Sequence, residues 1–262
     1  MKKILSIFVG LILTFSLFGL DGYEIIKKSN EVLTPKTSSV KATLKIYSKK
    51  GERIREVLMK SKDFGDVSKE VIVFLSPKDV SGVGYLMFNY EEKSDGSKKD
   101  SDNWLYMPAM KKTRRIASSG SESEGNFMGT DFTYEDMGER SIKKDTYTLL
   151  GEEIFNDENC YKVECKSISQ TEKNPRRIVY IGKDDFILRK AEFFDRQDNL
   201  HRVLTNSEFK TIKNYKTATK MKMENVQTGS YSLIEMNEIF YGEENIDDSL
   251  FTVAALEKGR IR

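Results

Sequence analysis

The chain has 262 residues, of which 38% are apolar, 32% charged and 11% aromatic, and its fifteen Phe, twelve Tyr and four Pro argue against a largely disordered polypeptide. Lys and Arg total 43 against 41 Asp and Glu, a net charge of +2, which speaks against a strongly basic nucleic-acid binder. One His and two Cys leave little material for a His/Cys metal site or a His-centred catalytic site.

Lys2 and Lys3 precede an almost wholly apolar run, Ile4 to Leu17, with Gly19 near its end and polar sequence from Asp21. This is the pattern of a secretory signal peptide, so residues 1–20 are expected to direct export and residues 21–262 to form one domain. The run is shorter than the ~20 residues a membrane span needs. No Cys follows it to carry a lipid, so the exported protein is expected to be soluble. Removing the segment takes away two lysines and no acid, leaving 41 basic against 41 acidic residues and a formally neutral mature chain.

Asp21 to Leu33 reads as a helix, with Asp21 as cap, Glu24 three residues on, Tyr23, Ile25, Ile26, Val32 and Leu33 as its apolar face, and Thr34-Pro35 as its stop. Strand signals then dominate. Val40, Ala42, Leu44 and Ile46 alternate with Lys41, Thr43 and Lys45. Arg53 to Lys62, Val71 to Leu75, Gly84 to Tyr90 and Trp104 to Met107 follow, the last stopped by Pro108. In the second half Thr146 to Ile154, Cys160 to Ser169, Arg176 to Ile181, Phe186 to Asp195, Leu200 to Thr211, Thr219 to Val226 and Ser230 to Tyr241 read as strands. A short closing helix is expected within Asp247 to Leu256.

Short polar turns between the strands imply antiparallel neighbours, since a parallel crossover needs a dozen or more residues. The expected fold is mainly β, within the α+β class: a single large curved antiparallel sheet or unclosed β-barrel of about ten to eleven strands with a few covering helices. Several strands are apolar on both faces, so each face needs a cover: core, ligand or partner. Nine methionines outside the leader, Met59, Met87, Met107, Met221, Met223 and Met236 among them, suit either core filling or an adaptable pocket.

Cys160 and Cys165 are the two cysteines, and export permits a disulfide. Along one extended strand, five steps of ~3.3 Å separate their Cα atoms by about 16 Å, beyond the ~7 Å a disulfide spans. Two free thiols packed as small apolar groups are expected.

Motifs for familiar chemistries are missing. Ser121-Glu-Ser-Glu-Gly125 lacks the first Gly of a nucleophile elbow, and Gly182-Lys183 lacks the upstream Gly of a phosphate loop, position 177 being Arg. Cys160, Cys165 and His201 have unsuitable zinc spacing. No cofactor, metal or catalytic residue is assigned.

Two features stand out. Lys111, Lys112, Arg114 and Arg115 follow Trp104-Leu-Tyr-Met-Pro-Ala-Met110, and then comes the Ser/Gly/Glu-rich stretch Ser118 to Gly125, leading to Phe127-Met-Gly129. At this run the sequence resembles the LolA-like outer-membrane lipoprotein-sorting proteins, more narrowly the branch often found beside RND-type exporters. The resemblance is carried by Trp104 to Ala109, Arg114-Arg115-Ile116, Phe127-Met-Gly-Thr-Asp-Phe132 and Tyr134-Glu-Asp136. It continues more weakly through Cys160 to Glu164, Ala191 to Asp195 and Leu250-Phe-Thr252.

The resemblance implies an unclosed antiparallel barrel with helices in its concavity and a hydrophobic pocket that carries acyl chains across the periplasm. The implied partners are lipoprotein acyl chains or another lipid, an inner-membrane transporter of the RND or lipoprotein-releasing kind, and an outer-membrane acceptor. It assigns no catalytic residues. From position in the chain, Phe74, Tyr85, Met87, Trp104 and Tyr106 are expected to line the pocket, Phe127 and Met128 to cover its mouth, Phe132 to belong to the same pocket-and-lid set, and Lys112, Arg114 and Arg115 to meet a headgroup or partner. The alternative is a cell-envelope interaction or sensor module, or an exporter accessory without cargo, which predicts a filled core and an exposed apolar patch. A carboxylate-based hydrolase is a third, remote reading.

Overall fold

The computed structural model describes residues 19–93, 97–169, 171–242 and 246–261. The apolar run assigned to export, Ile4 to Leu17, lies outside the described residues.

Among the described residues, thirteen antiparallel strands form one sheet. β1 (Thr37–Ser48), β2 (Gly51–Asp63), β3 (Val67–Ser76), β4 (Gly84–Tyr90), β5 (Asp102–Met107) and β6 (Lys112–Ile116) step outward as a meander to one edge. β7 (Asp145–Phe155), β8 (Glu158–Ser167), β9 (Arg176–Gly182), β10 (Leu188–Phe194), β11 (Leu200–Ile212), β12 (Tyr215–Asn225) and β13 (Ser230–Tyr241) step inward from the other. The two meanders join where β1 pairs with β13, Leu44 opposite Ile234. β6 and β7 are the two edges, so the barrel is unclosed, and the connection of residues 117–144 runs between them. The strands exceed the expected count by two or three, in part because β6 was read only as a basic cluster. Its burial explains this: of its five residues only Ile116 is buried, so no apolar alternation announces it.

Two α-helices occur among the described residues. α1 (Gly22–Asn30) begins as expected, with the Asp21 carboxylate accepting from the Glu24 backbone N–H at 2.8 Å. It stops one turn short of Leu33, which is exposed together with Tyr23, so only Ile25 and Ile26 of the expected apolar face pack inward. Ile25 is fully buried among Val163, Cys165, Val179, Ile181 and Ala191, which seats α1 on the β8–β10 part of the sheet. A Cβ on Gly22 would come within 2.9 Å of the Leu149 backbone nitrogen, so the helix start rests directly on β7. α2 (Val253–Glu257) follows a 3-10 turn at Asp248–Leu250 and is capped by Thr252.

Strand alternation sorts the side chains into two layers. On the concave face Val40, Ala42, Leu44, Ile46, Ile72 and Phe74 join Tyr85, Met87 and Leu105 in one cluster, into which Phe127 and Phe132 of the connection also pack. On the convex face Val71, Leu86, Trp104 and Tyr106 are covered by the C-terminal segment through Ile246, Phe251, Leu256 and Ile261. The double-sided apolar strands β3 and β4 thus have protein on both sides. Cys160 and Cys165 are free and buried. Burial pushes the Cys165 thiol up to about 11, which keeps it protonated and weakly nucleophilic.

Candidate ligand-binding cavity

A cavity of about 810 Å³ lies between the concave face, α1 and the 117–144 connection. Its middle wall comes from neighbouring strands: Val40 of β1, Met59 of β2, Ile72 of β3, Met221 and Met223 of β12, Ile234 and Met236 of β13. The far wall is Val179, Ile181, Leu188, Ala191, Phe193 and Leu204, with Ile26 of α1 beside it. Phe132 and Met137 close it from the connection. Five of these residues are methionines, whose unbranched, polarizable side chains adapt to flexible apolar shapes. The lining reaches exposed Asn30, Thr34 and Asp63, so the cavity opens at the end of the barrel where β1 begins and β2 ends.

The opposite end holds the connection. The Arg55 guanidinium donates to the Met128 carbonyl at 2.6 Å and Arg53 to that of Gly129 at 3.2 Å. The Asp131 carboxylate accepts from Ser230 Oγ at 2.5 Å and Ser232 Oγ at 2.7 Å. Arg202 donates to the Asp131 carbonyl at 3.2 Å and pairs with the Asp136 carboxylate. Phe127 is 4% exposed and packs edge-on against Tyr85 and Tyr134 and tilted against Phe74, at centroid distances of 5.2, 5.4 and 6.2 Å. Arginines from β2 and β11 and serine hydroxyls from β13 thus hold this segment as a plug in the barrel base, where the sequence suggests a lid.

The expected lining residues therefore divide three ways. Phe132 lines the cavity. Phe74, Tyr85, Met87, Phe127 and Met128 face the concave side but pack together beneath it. Trp104 and Tyr106 lie on the convex side under the C-terminal segment. Period two relates residues within one strand but does not say which side is concave; here Leu105 points inward and its neighbours outward.

The basic residues lie away from the cavity, on the edge strand β6. Arg115 pairs with Asp102, Arg114 lies 3.4 Å from Glu122, and Lys112 is exposed. Burial works against the Asp102 charge, but Lys99, Tyr90 and Arg115 together hold its carboxyl below the ordinary range. Exposed cations on an edge strand hinder pairing with a further chain, which accounts for their place there.

Polar groups enter the cavity in two places. At one side Arg140 donates to both carboxylate oxygens of Asp145 at 2.8 Å and to Glu135 at 2.7 Å, and also pairs with Glu172; Arg177 pairs with Asp145 as well. Burial opposes ionisation of Asp145, yet the two guanidinium groups hold its carboxyl below the ordinary range. This network ties the connection to β7 and β9. The second place is Glu70 on β3, with Asn89 on β4 and Asn206 on β11 also facing the cavity. Burial, with a smaller contribution from Glu139, pushes the Glu70 carboxyl up to about 7. The sequence holds a signal for it: Glu70 stands two positions before Ile72 and four before Phe74, a charge in phase with an apolar face.

A family model described as an uncharacterized protein matches residues 66–258. No curated protein matches the chain. Among solved structures, a DUF1329 family protein from Desulfovibrio piger is 29% identical and superposes with a TM-score of 0.81, over 90% of this chain and 97% of that one. A domain named as an outer membrane lipoprotein-sorting protein, from Vibrio parahaemolyticus, is 26% identical with a TM-score of 0.80, over 90% of this chain and 98% of that one. A LolA superfamily protein from Nitrosomonas europaea shares the fold at 18% identity and a TM-score of 0.66, over 90% of this chain and all of that one.

Proposed function

The chain belongs to the DUF1329 family, with the fold of the lipoprotein-sorting proteins, and from that premise we propose that it is a non-enzymatic carrier of lipophilic cargo. The cargo is the acyl portion of a lipoprotein or another lipid, held in the cavity and moved through the periplasm between inner and outer membrane. The resemblance at Trp104 to Asp136 makes an RND-type exporter the favoured membrane partner.

The observation that carries this reading is the methionine-rich cavity of about 810 Å³. Its size lies within the ~300–1,000 Å³ typical of small-molecule sites. Each buried methylene contributes ~0.8 kcal/mol, so ten of them supply about 8 kcal/mol before ordering costs. A surface ion pair contributes only ~0–1 kcal/mol, so affinity is set by chain length more than by salt. The alternative, an interaction module without cargo, calls for a filled core.

Native mass spectrometry of the protein purified from its own cell envelope, followed by solvent extraction, tests the proposal. A stoichiometric adduct releasing an acylated molecule supports it. A bare mass, together with equal binding of short and long acyl probes, overturns it.

A further inference from the structure

The cavity wall carries hydrogen-bond acceptors that the described residues leave unsatisfied. Glu70 shares the concave side of β3 with Ile72, and no hydrogen bond or ion pair from the described residues reaches its carboxylate. On the next strand, Met87 stands opposite Glu70, and Asn89 is two positions along on the same face. Asn89 is 7% exposed, and its Oδ1 is buried with no partner. Asn206 donates through its Nδ2 to the Leu188 carbonyl at 3.1 Å, a bond that orients the amide and leaves Oδ1 buried and unpaired.

The neighbouring lysines of the lining, Lys60 and Lys69, alternate to the other face: Lys69 lies 4.5 Å from the centroids of the Phe64 and Phe88 rings, and Lys60 stands opposite Val71. On β2, Ser61 stands opposite Glu70, while Lys62 is committed to Asp248 at 2.5 Å and to the Ile246 carbonyl at 3.2 Å. From the connection, Glu139, itself paired with Lys98 at 2.9 Å, adds a like charge, and Arg140 is shared among Asp145, Glu135 and Glu172. The Tyr85 hydroxyl, on the same face of β4 as Met87, is itself buried without a partner. A buried acceptor without a donor is costly, and a ligand that brings the donor removes the cost.

Building on the carrier reading, we propose that the cavity selects an amphiphile bearing hydrogen-bond donors, an amine on a long alkyl chain foremost, and discriminates against a carboxylate-headed chain. An ammonium group supplies three donors and the countercharge that Glu70 lacks. A fatty-acid carboxylate supplies neither and adds a further negative charge beside Glu70. A carboxyl that titrates near 7 is ionised at mildly alkaline pH, where the contrast between the two headgroups is greatest.

The test is displacement of a pyrene-labelled alkane from the full mature protein by dodecylamine, dodecanol and dodecanoate at about pH 8. The expected order is amine, then alcohol, then carboxylate, with amine binding at least about tenfold tighter than carboxylate. In Glu70→Gln the advantage of amine over alcohol is expected to vanish, and in Asn89→Leu both polar ligands are expected to weaken relative to the labelled alkane. Dodecanoate binding as tightly as dodecylamine to the unmodified protein overturns the proposal, as does an amine preference that survives in both variants. Failure of the labelled alkane itself to bind overturns the carrier reading, and the selectivity with it.

Discussion

Asp131 and Ser232 are buried together, and the Ser232 hydroxyl donates to Asp131 Oδ2 at 2.7 Å while accepting from the Asp131 backbone N–H at 2.9 Å. The pair joins the connection between the sheet edges to the strand at the centre of the sheet, 101 positions later. It makes the base of the cavity a fixed floor, because the plug is tied to the same strand whose Ile234 and Met236 line the wall.

Breaking that latch is expected to destabilise the fold and free the plug. Hydrogen bonds to charged groups contribute roughly 1.5–3 kcal/mol, so Asp131→Ala should lower unfolding stability by about that amount. Denaturant titration reads the loss, and limited proteolysis should cut within 117–144 faster than in the unmodified protein. Unchanged stability and cleavage would mean that the plug is held by its aromatic packing alone.

Filling the cavity should shorten the chain it accepts. Met221→Trp places a bulkier, stiffer side chain on the lining of β12. Affinity for a long acyl chain should drop at least about tenfold, or 1.4 kcal/mol, while a short chain loses little. Titration of a chain-length series with a fluorescent probe checks this, and a uniform loss at all lengths would point to global disruption instead.

The Glu70 carboxyl makes a signed prediction about pH. Unfolded, it ionises near the ordinary 4.5; folded, near 7. Between these values the native state holds a proton that the unfolded state has released, so this group's contribution to stability falls as pH rises through the window. Glu70→Gln removes that contribution. Stability curves of the two proteins, measured from about pH 4.5 to 7, should therefore diverge, with the variant gaining relative to the original as pH increases. Parallel curves would show that Glu70 is well solvated in the native state.

Gly84 lets α2 pack directly onto β4, since a Cβ there would overlap Leu256 Cδ1. Gly84→Ala is expected to cost about 1–3 kcal/mol, the usual penalty for overpacking. Hydrogen exchange should report weaker protection in residues 246–261, which cover Leu86 and Trp104, while the cavity lining keeps its protection. Equal loss everywhere would indicate that Gly84 matters for β4 itself.

Most of the strand framework was legible because burial on a sheet face leaves a period-two trace, as in Val40, Ala42, Leu44 and Ile46. The turns between strands announced the antiparallel meander for the same local reason. The run from Trp104 to Asp136 pointed to the fold family, which the superpositions bear out. The edge strand β6 left no such trace, because an edge strand of solvent-facing Lys and Arg buries almost nothing.

What only the tertiary structure decided is long-range. Alternation placed Trp104 and Leu105 on opposite faces, but the C-terminal segment, about 150 residues later, determined that Trp104 faces outward beneath it. Phe127 and Met128, after the Ser/Gly/Glu-rich stretch, were expected to form a lid, and arginines and serines remote in sequence turned Phe127 to Asp136 into a plug. Glu70 was visible as a charge in phase with apolar neighbours, but its lack of a partner depends on what every other strand brings to the same cavity. Local sequence encodes periodicity and turn chemistry; the curvature of the sheet and the segments covering each face arise from contacts between distant residues, and those contacts determined where the cavity is and which groups face it.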